Sequence, residues 1–129
     1  MTEGTKADPW VLKTAPGTAE YSMYRDGDEL VCQVGSTKLT YQARAIEDLA
    51  AWLATKDGWV PLGASDESKQ PAAGTVEEWG RSEDNPVGGW YGLRRGYRGR
   101  FGMYLPPLLE HLGLIELTHD ARNNSAQAL

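Results

Sequence analysis

The sequence predicts an α+β domain: an N-terminal antiparallel β-meander packed by one helix, then C-terminal helices followed by a wing-like β-hairpin. Three observations carry that expectation. Residues 20–41 alternate along short runs split by two turn signals, Asp26-Gly27 and Gly35-Ser36. Ile46, Leu49, Ala50 and Leu53 then recur at helical spacing, one apolar stripe suited to packing on a sheet. After Gly113 the chain returns to short runs around a polar turn. A length of 129 residues, about 40% of them apolar and 24% charged, suits one domain over 1–129 with a core of its own.

Taken in order, residues 1–8 are small and polar and read as a disordered end. Trp10-Val-Leu is a short strand candidate stopped by Pro16-Gly17. Residues 20–25 form the next, with Tyr21 and Met23 on one face and Ser22 and Tyr24 on the other. Asp26-Gly27 turns the chain into a strand over 29–34, and Gly35-Ser36 turns it into 37–41, giving a three-stranded meander. Asp57-Gly58 ends the helix that bears the Ile46 stripe. Residues 59–62 are a short strand or an extended connector. Residues 63–74 are polar and small, which predicts a mobile loop.

Thr75 and Glu78 have capping-box spacing, so a short helix starts at Val76 and runs through Trp79. Phe101, Tyr104, Leu105, Leu108 and Leu112 keep helical spacing, but Pro106-Pro107 lie inside the run. Proline lacks the amide donor and clashes with the preceding turn. A break is therefore expected at Leu105, with both prolines in the first turn of a helix ending at Leu112 and capped by Gly113. Residues 114–118 read as a strand, 120–124 as its turn and 125–129 as the returning strand.

The net charge of −5 is divided unevenly: residues 1–88 hold fifteen acids against eight Lys and Arg, residues 89–129 three acids against five arginines. An acidic whole argues against indiscriminate adhesion to nucleic acid, while a local basic patch can still make that contact. Such a patch is visible. Between Gly88 and Tyr104, Arg94, Arg95, Arg98 and Arg100 interleave with Trp90, Tyr91, Tyr97 and Phe101 and with glycines, and no acid interrupts them. Arginine offers a planar fork matched to phosphate or carboxylate, and aromatic rings stack on bases or cations. A helical turn over 90–98 would place Arg94 and Arg98 on one face. The structural alternative makes Trp90, Phe101 and Tyr104 core, with the arginines paired to the acidic half. In a third arrangement Trp59, Trp79, Trp90, Tyr91 and Tyr97 line an aromatic pocket and an arginine fixes an anionic group.

Catalytic signals are weak. His111 and His119 stand eight residues apart on different expected elements, which fits no metal-ligand spacing. Cys32 is the single cysteine, placed mid-strand where a thiol acts as a small hydrophobe. No nucleophile elbow or phosphate-binding loop is present, and Gly92, Gly96, Gly99 and Gly102 do not match one. Adjacent acids such as Glu77-Glu78 read as solvated faces. No catalytic residue, metal or cofactor is expected; the remaining enzymatic option is a site assembled by folding from His111, Glu116 and a distant carboxylate. A single cysteine, no N-terminal apolar run and no membrane-length apolar stretch predict a cytoplasmic protein.

Residues 108–129, with Leu112-Gly-Leu feeding a strand, a turn of Asp120, Arg122, Asn123 and Asn124, and a returning strand, are similar to the end of winged-helix DNA-binding domains. The resemblance implies a wing over 114–129, with Arg122, Asn123 and Asn124 at its tip near phosphate or the minor groove. The chain departs from that pattern where Pro106-Pro107 enter the helix that should read the major groove, whose surface offers Glu110 and His111. Over most of its length, through Cys32-Gln-Val-Gly-Ser, Trp59-Val-Pro-Leu-Gly, Gly80-Arg-Ser-Glu-Asp-Asn-Pro-Val-Gly-Gly-Trp-Tyr-Gly-Leu and Arg98-Gly-Arg-Phe-Gly-Met-Tyr-Leu-Pro-Pro, the chain resembles a family of small actinobacterial proteins of unknown function. That resemblance implies an intact bacterial domain and no particular activity.

The sequence therefore favours a non-catalytic binding module that contacts nucleic acid through Arg94–Arg100 and Arg122–Asn124. The alternatives are a small-molecule or peptide-binding domain holding an anionic ligand, and a module that docks an acidic protein, its own acidic face in a homodimer included. No oligomeric state follows from composition.

Overall fold

Strand alternation lays down the first half of the molecule. The structure, a computed structural model, describes residues 3–129; residues 1 and 2 of the expected disordered end lie outside the described residues. Within the rest of that end, Asp8 closes a turn, its carbonyl accepting the Gly4 N–H at 3.0 Å. Strands β1 (Trp10–Lys13), β2 (Glu20–Asp26), β3 (Glu29–Val34) and β4 (Thr37–Gln42) form one antiparallel sheet in chain order. The expected three-stranded meander thus gains β1 as a fourth strand. Its register sets Trp10 opposite Met23 and Leu12 opposite Tyr21. Farther across, Met23 faces Cys32 and Cys32 faces Leu39. All of these side chains are buried, as a period of two requires when one face meets the core.

Helix α1 (Ala45–Ala54) buries Ala45, Ile46, Leu49 and Leu53, the apolar stripe read from the sequence. Helix α2 (Val76–Trp79) begins at the expected cap: the Thr75 hydroxyl accepts the Glu78 N–H at 3.2 Å, and the Glu78 carboxylate accepts the Gly74 N–H at 2.9 Å. Residues 63–74 between them hold no helix or strand.

Helix α3 (Phe101–His111) corrects the expected break at Leu105. It runs unbroken through Pro106 and Pro107, which fall in its second turn rather than its first. The prolines forfeit the two amide bonds that would reach the Gly102 and Met103 carbonyls. Burial outweighs that loss, because Phe101, Tyr104, Leu105, Leu108 and Leu109, together with both prolines, are packed inside. Apolar burial of a large side chain contributes about 1.5–3 kcal/mol, more than one net hydrogen bond at about 1 kcal/mol. Gly102 serves a close approach: a Cβ there would stand 2.5 Å from the Leu62 carbonyl oxygen.

The C-terminal segment folds as read, into β6 (Ile115–Leu117) and β7 (Ser125–Ala128), but it is no free wing. The short strand β5 (Val60–Pro61) pairs with the other edge of β7, so β7 is the centre of a three-stranded antiparallel sheet in the order β5-β7-β6. The architecture is α+β: a four-stranded antiparallel sheet, the helices, and this smaller sheet. No helix among the described residues is long and apolar enough to cross a membrane.

Candidate functional site

The arginine–aromatic segment is not helical. Residues 88–100 form turns and one bridge, Gly92 to Tyr41, so Arg94 and Arg98 do not share a helical face. The loop over 93–100 is instead fixed by its backbone. The Leu93 N–H donates to the Thr40 carbonyl at 2.8 Å, and the buried Tyr41 hydroxyl donates to the Gly99 carbonyl at 2.7 Å. Glu67 closes it from below, accepting the Gly96 N–H at 2.7 Å and the Arg98 N–H at 3.1 Å on one carboxylate oxygen. Gly99 permits this seat, since a Cβ would meet the Glu67 nitrogen at 2.4 Å. The Arg98 N–H above all, with the Gly96 N–H and the Arg98 charge, holds the Glu67 carboxyl below its ordinary range.

The four arginines therefore part company. Arg98 is inward: its guanidinium lies 4.8 Å from the Trp90 ring centre and 3.6 Å from Glu67, the second matching the structural alternative of arginine paired with acid. Arg94, Arg95 and Arg100 are exposed and form no ion pair among the described residues. Arg94 lies 5.1 Å over the ring of Tyr97, itself 41% exposed. Arg100 adopts a left-handed backbone, φ 62°, at the junction with α3.

Two of the five rings expected to line an aromatic pocket, Trp79 and Tyr91, are core. Trp79 stacks on Trp52 at 5.0 Å and on Tyr91 at 5.4 Å, and Tyr91 stacks on Phe101 at 5.3 Å. Trp90 is half-buried with the Arg81 guanidinium 4.7 Å from its ring. Trp59 is 47% exposed and takes part in none of these stacks. The five expected rings thus differ in placement: two are core, Trp90 is half-buried, and Trp59 and Tyr97 are exposed.

Beneath the loop sits a group that sequence reading passed over. Glu77, expected on a solvated face, is fully buried. Its carboxylate accepts the Gly102 N–H at 2.9 Å, the Phe101 N–H at 3.3 Å, the Ser65 N–H at 3.3 Å and the Arg81 Nε–H at 3.0 Å. A side chain of α2 thus caps α3, satisfying two of its orphan amides at the positive end of the helix dipole. Burial pushes the Glu77 carboxyl upward, against the Gly102 N–H and the Arg81 charge that favour its ionised form. Arg81 spends its other donors on the carbonyls of Ser65, Asp66 and Lys69, pinning the 63–74 segment. The one local signal was the four-residue spacing of Glu77 and Arg81.

The Arg122–Asn124 turn stands apart. Asn124 faces inward, accepting the Asp120 N–H at 2.7 Å and the Thr118 hydroxyl at 2.9 Å, so its amide is occupied by the turn itself. Asn123 takes the left-handed region, φ 60°, which asparagine tolerates. Arg122 and Asn123 are exposed and line a cleft with residues of the β1–β2 turn.

His119 joins that β1–β2 turn to α3. Its Nδ1 is 2.8 Å from the Ala15 carbonyl and its Nε2 is 2.8 Å from Glu110, so both nitrogens face pure acceptors and only the imidazolium serves both. The Glu110 hydrogen bond, then the Ala15 carbonyl, raise the His119 pKa. A raised pKa stabilises the fold fully below the ordinary histidine value near 6.5, and the contribution is lost as pH rises through the folded value. The thermal midpoint of His119→Ala is therefore expected to fall further below the parent at about pH 5.5 than at about pH 8.5. Equal gaps at the two values would show that the ring acts by packing alone. Among the described residues, no three His, Cys, Asp or Glu side chains gather to hold a metal ion.

Fold and site together define a small α+β domain with a braced basic loop on one side and a cleft at the C-terminal turn. The chain belongs to the family described as a family of unknown function, DUF6855, whose model matches residues 2–129. No curated protein and no solved structure matches the chain.

Proposed function

We propose that the protein is a binding module that contacts single-stranded nucleic acid through the 93–100 loop. The observation that carries this reading is the state of the charges: Arg94, Arg95 and Arg100 are exposed and unpaired among the described residues, while the neighbouring Glu67 is engaged by Arg98 and two backbone amides. The loop therefore presents three guanidinium groups that no ion pair among the described residues engages, on a chain whose net charge is −5. Tyr97 beside Arg94 adds a face on which a base can stack, and stacking is available only where bases are unpaired. The fixed backbone keeps these groups presented before binding, which lowers the ordering cost. The Arg122–Asn124 turn is left out of this surface, because Asn124 is consumed internally. A bacterial cytoplasmic setting belongs to the same reading.

Anisotropy of a labelled single-stranded oligonucleotide, titrated at several salt concentrations, tests it. Three phosphate contacts predict a slope of log affinity on log salt of about −2, since each contributes about −0.7 on single strands. Arg95→Gln should flatten the slope by about 0.7, and duplex DNA should bind more weakly than the single strand. An isotherm unmoved by salt would overturn the proposal.

A further inference from the structure

A second site is lined by residues outside the basic loop. Between the β1–β2 turn, the 61–64 connection and the Arg122–Asn124 turn runs a cleft of about 800 Å³, within the usual range for small-molecule sites. None of its lining residues falls in the 93–100 loop.

Its walls are built from separate parts of the chain and tied to one another. Leu62 donates its N–H to the Asn124 carbonyl at 3.0 Å, joining the connection to the C-terminal turn. His119 reaches from that turn to the Ala15 carbonyl at 2.8 Å and to Glu110 of α3 at 2.8 Å, joining the β1–β2 turn to the same frame. The Thr14 N–H donates to the Ala19 carbonyl at 3.0 Å, closing the β1–β2 turn on itself. The cleft is thus held open by hydrogen bonds that do not depend on a ligand.

The lining has a definite chemistry. Ala15, Leu62, Ala64 and Met103 supply an apolar floor of small and flexible side chains. Arg122 is the one cation in the lining, is exposed, and forms no ion pair among the described residues. Glu110, a carboxylate of the same frame, is occupied by His119. Thr14, 93% buried by its 7% exposure, lines the same cleft, and its hydroxyl oxygen has no hydrogen-bond partner among the described residues. That oxygen is itself shielded from solvent, so it is a packing cost in the cleft wall and not a contact point for a ligand.

We infer that this cleft binds a small organic anion: an apolar body lying on Ala15, Leu62, Ala64 and Met103, with one carboxylate or sulfonate group paired to Arg122. A polyanion does not fit the lining, because a single guanidinium neutralises one charge. A neutral hydrocarbon leaves Arg122 without use. The site is independent of nucleic-acid binding, and either can stand without the other.

Anilinonaphthalene sulfonate, an apolar double ring carrying one sulfonate, is the probe. Its fluorescence is titrated against the folded protein, and labelled-amide NMR locates it. Saturable one-to-one binding is expected, with shifts centred on Ala15, Ala64 and Asn123. Arg122→Gln should weaken binding about tenfold, as loss of one charge-assisted contact does. Phenylnaphthylamine, the same rings without the sulfonate, should bind the parent about tenfold more weakly. Arg94→Gln, outside the cleft, should bind the dye as the parent does. The inference is overturned if binding does not saturate, if Arg122→Gln and the parent bind alike, or if the shifts centre elsewhere. Arg122 is exposed, so its replacement leaves the fold intact and the comparison readable.

Discussion

Glu77→Ala is expected to lose about 3–5 kcal/mol of stability, the cost of removing one partner from a buried ion pair. Urea unfolding at neutral pH, followed by tryptophan fluorescence, would read this as a large fall in midpoint. The magnitude follows from what is left behind. The Arg81 side chain is only 8% exposed, so its charge would remain inside without its carboxylate. The Phe101 and Gly102 amides at the start of α3 would lose their acceptor, and so would Ser65. Glu77→Gln separates the two components. It keeps one acceptor oxygen but loses the charge, so it should fall between parent and Ala. A Glu77→Ala protein as stable as the parent would mean that water replaces the carboxylate and that α3 needs no cap from α2.

Phe101→Ala carries a comparable cost, about 3–5 kcal/mol, by a different route. The ring is 1% exposed and lies in an aromatic cluster, 5.3 Å from Tyr91, 6.0 Å from Trp79 and 6.1 Å from Tyr41. Truncation removes the burial of a large ring and opens a cavity whose walls are held by sheet, α2 and loop at once. The walls have little freedom to collapse. Tyr41 hydrogen-bonds Gly99 and Tyr91 donates its hydroxyl to Asp48 at 2.8 Å, so neither ring can swing into the space without breaking a bond. Thermal unfolding would show the loss. Near-ultraviolet circular dichroism should also weaken, because the stacked tryptophans share this cluster. A loss well under 2 kcal/mol would mean that the cluster repacks freely.

The parts of this fold that were legible are those whose signals are local. The Asp26-Gly27 turn, the alternation on either side of it, the α1 stripe and the Thr75–Glu78 cap each depend on residues within a few positions. What escaped depends on pairs far apart. Residues 59–62 read as a strand or a connector, and what decides for the two-residue β5 is that Val60 meets Ala126, a pairing no local pattern encodes. Pro106 and Pro107 read as a break because propensity weighs the missing amides and is blind to the core waiting on both sides. Glu77 sits between Val76 and Glu78 in an acidic run, and its partners at positions 65, 101 and 102 are brought to it only by folding. The basic loop was legible in composition alone: its four arginines look equivalent in sequence, and only the placement of Glu67 and Trp90 takes Arg98 out of the exposed set.

Arg100 occupies a backbone region that ordinary residues avoid at a cost of roughly 1–2 kcal/mol, and glycine would sit there almost freely. A side chain kept at such a position exerts a steady pressure toward its own replacement. Evolution or engineering guided by thermal endurance alone would drift toward Arg100→Gly, gaining robustness while eroding the cationic rim. The residue at position 100 is therefore a dial between endurance and recognition, and stabilised variants of this domain should be checked there first.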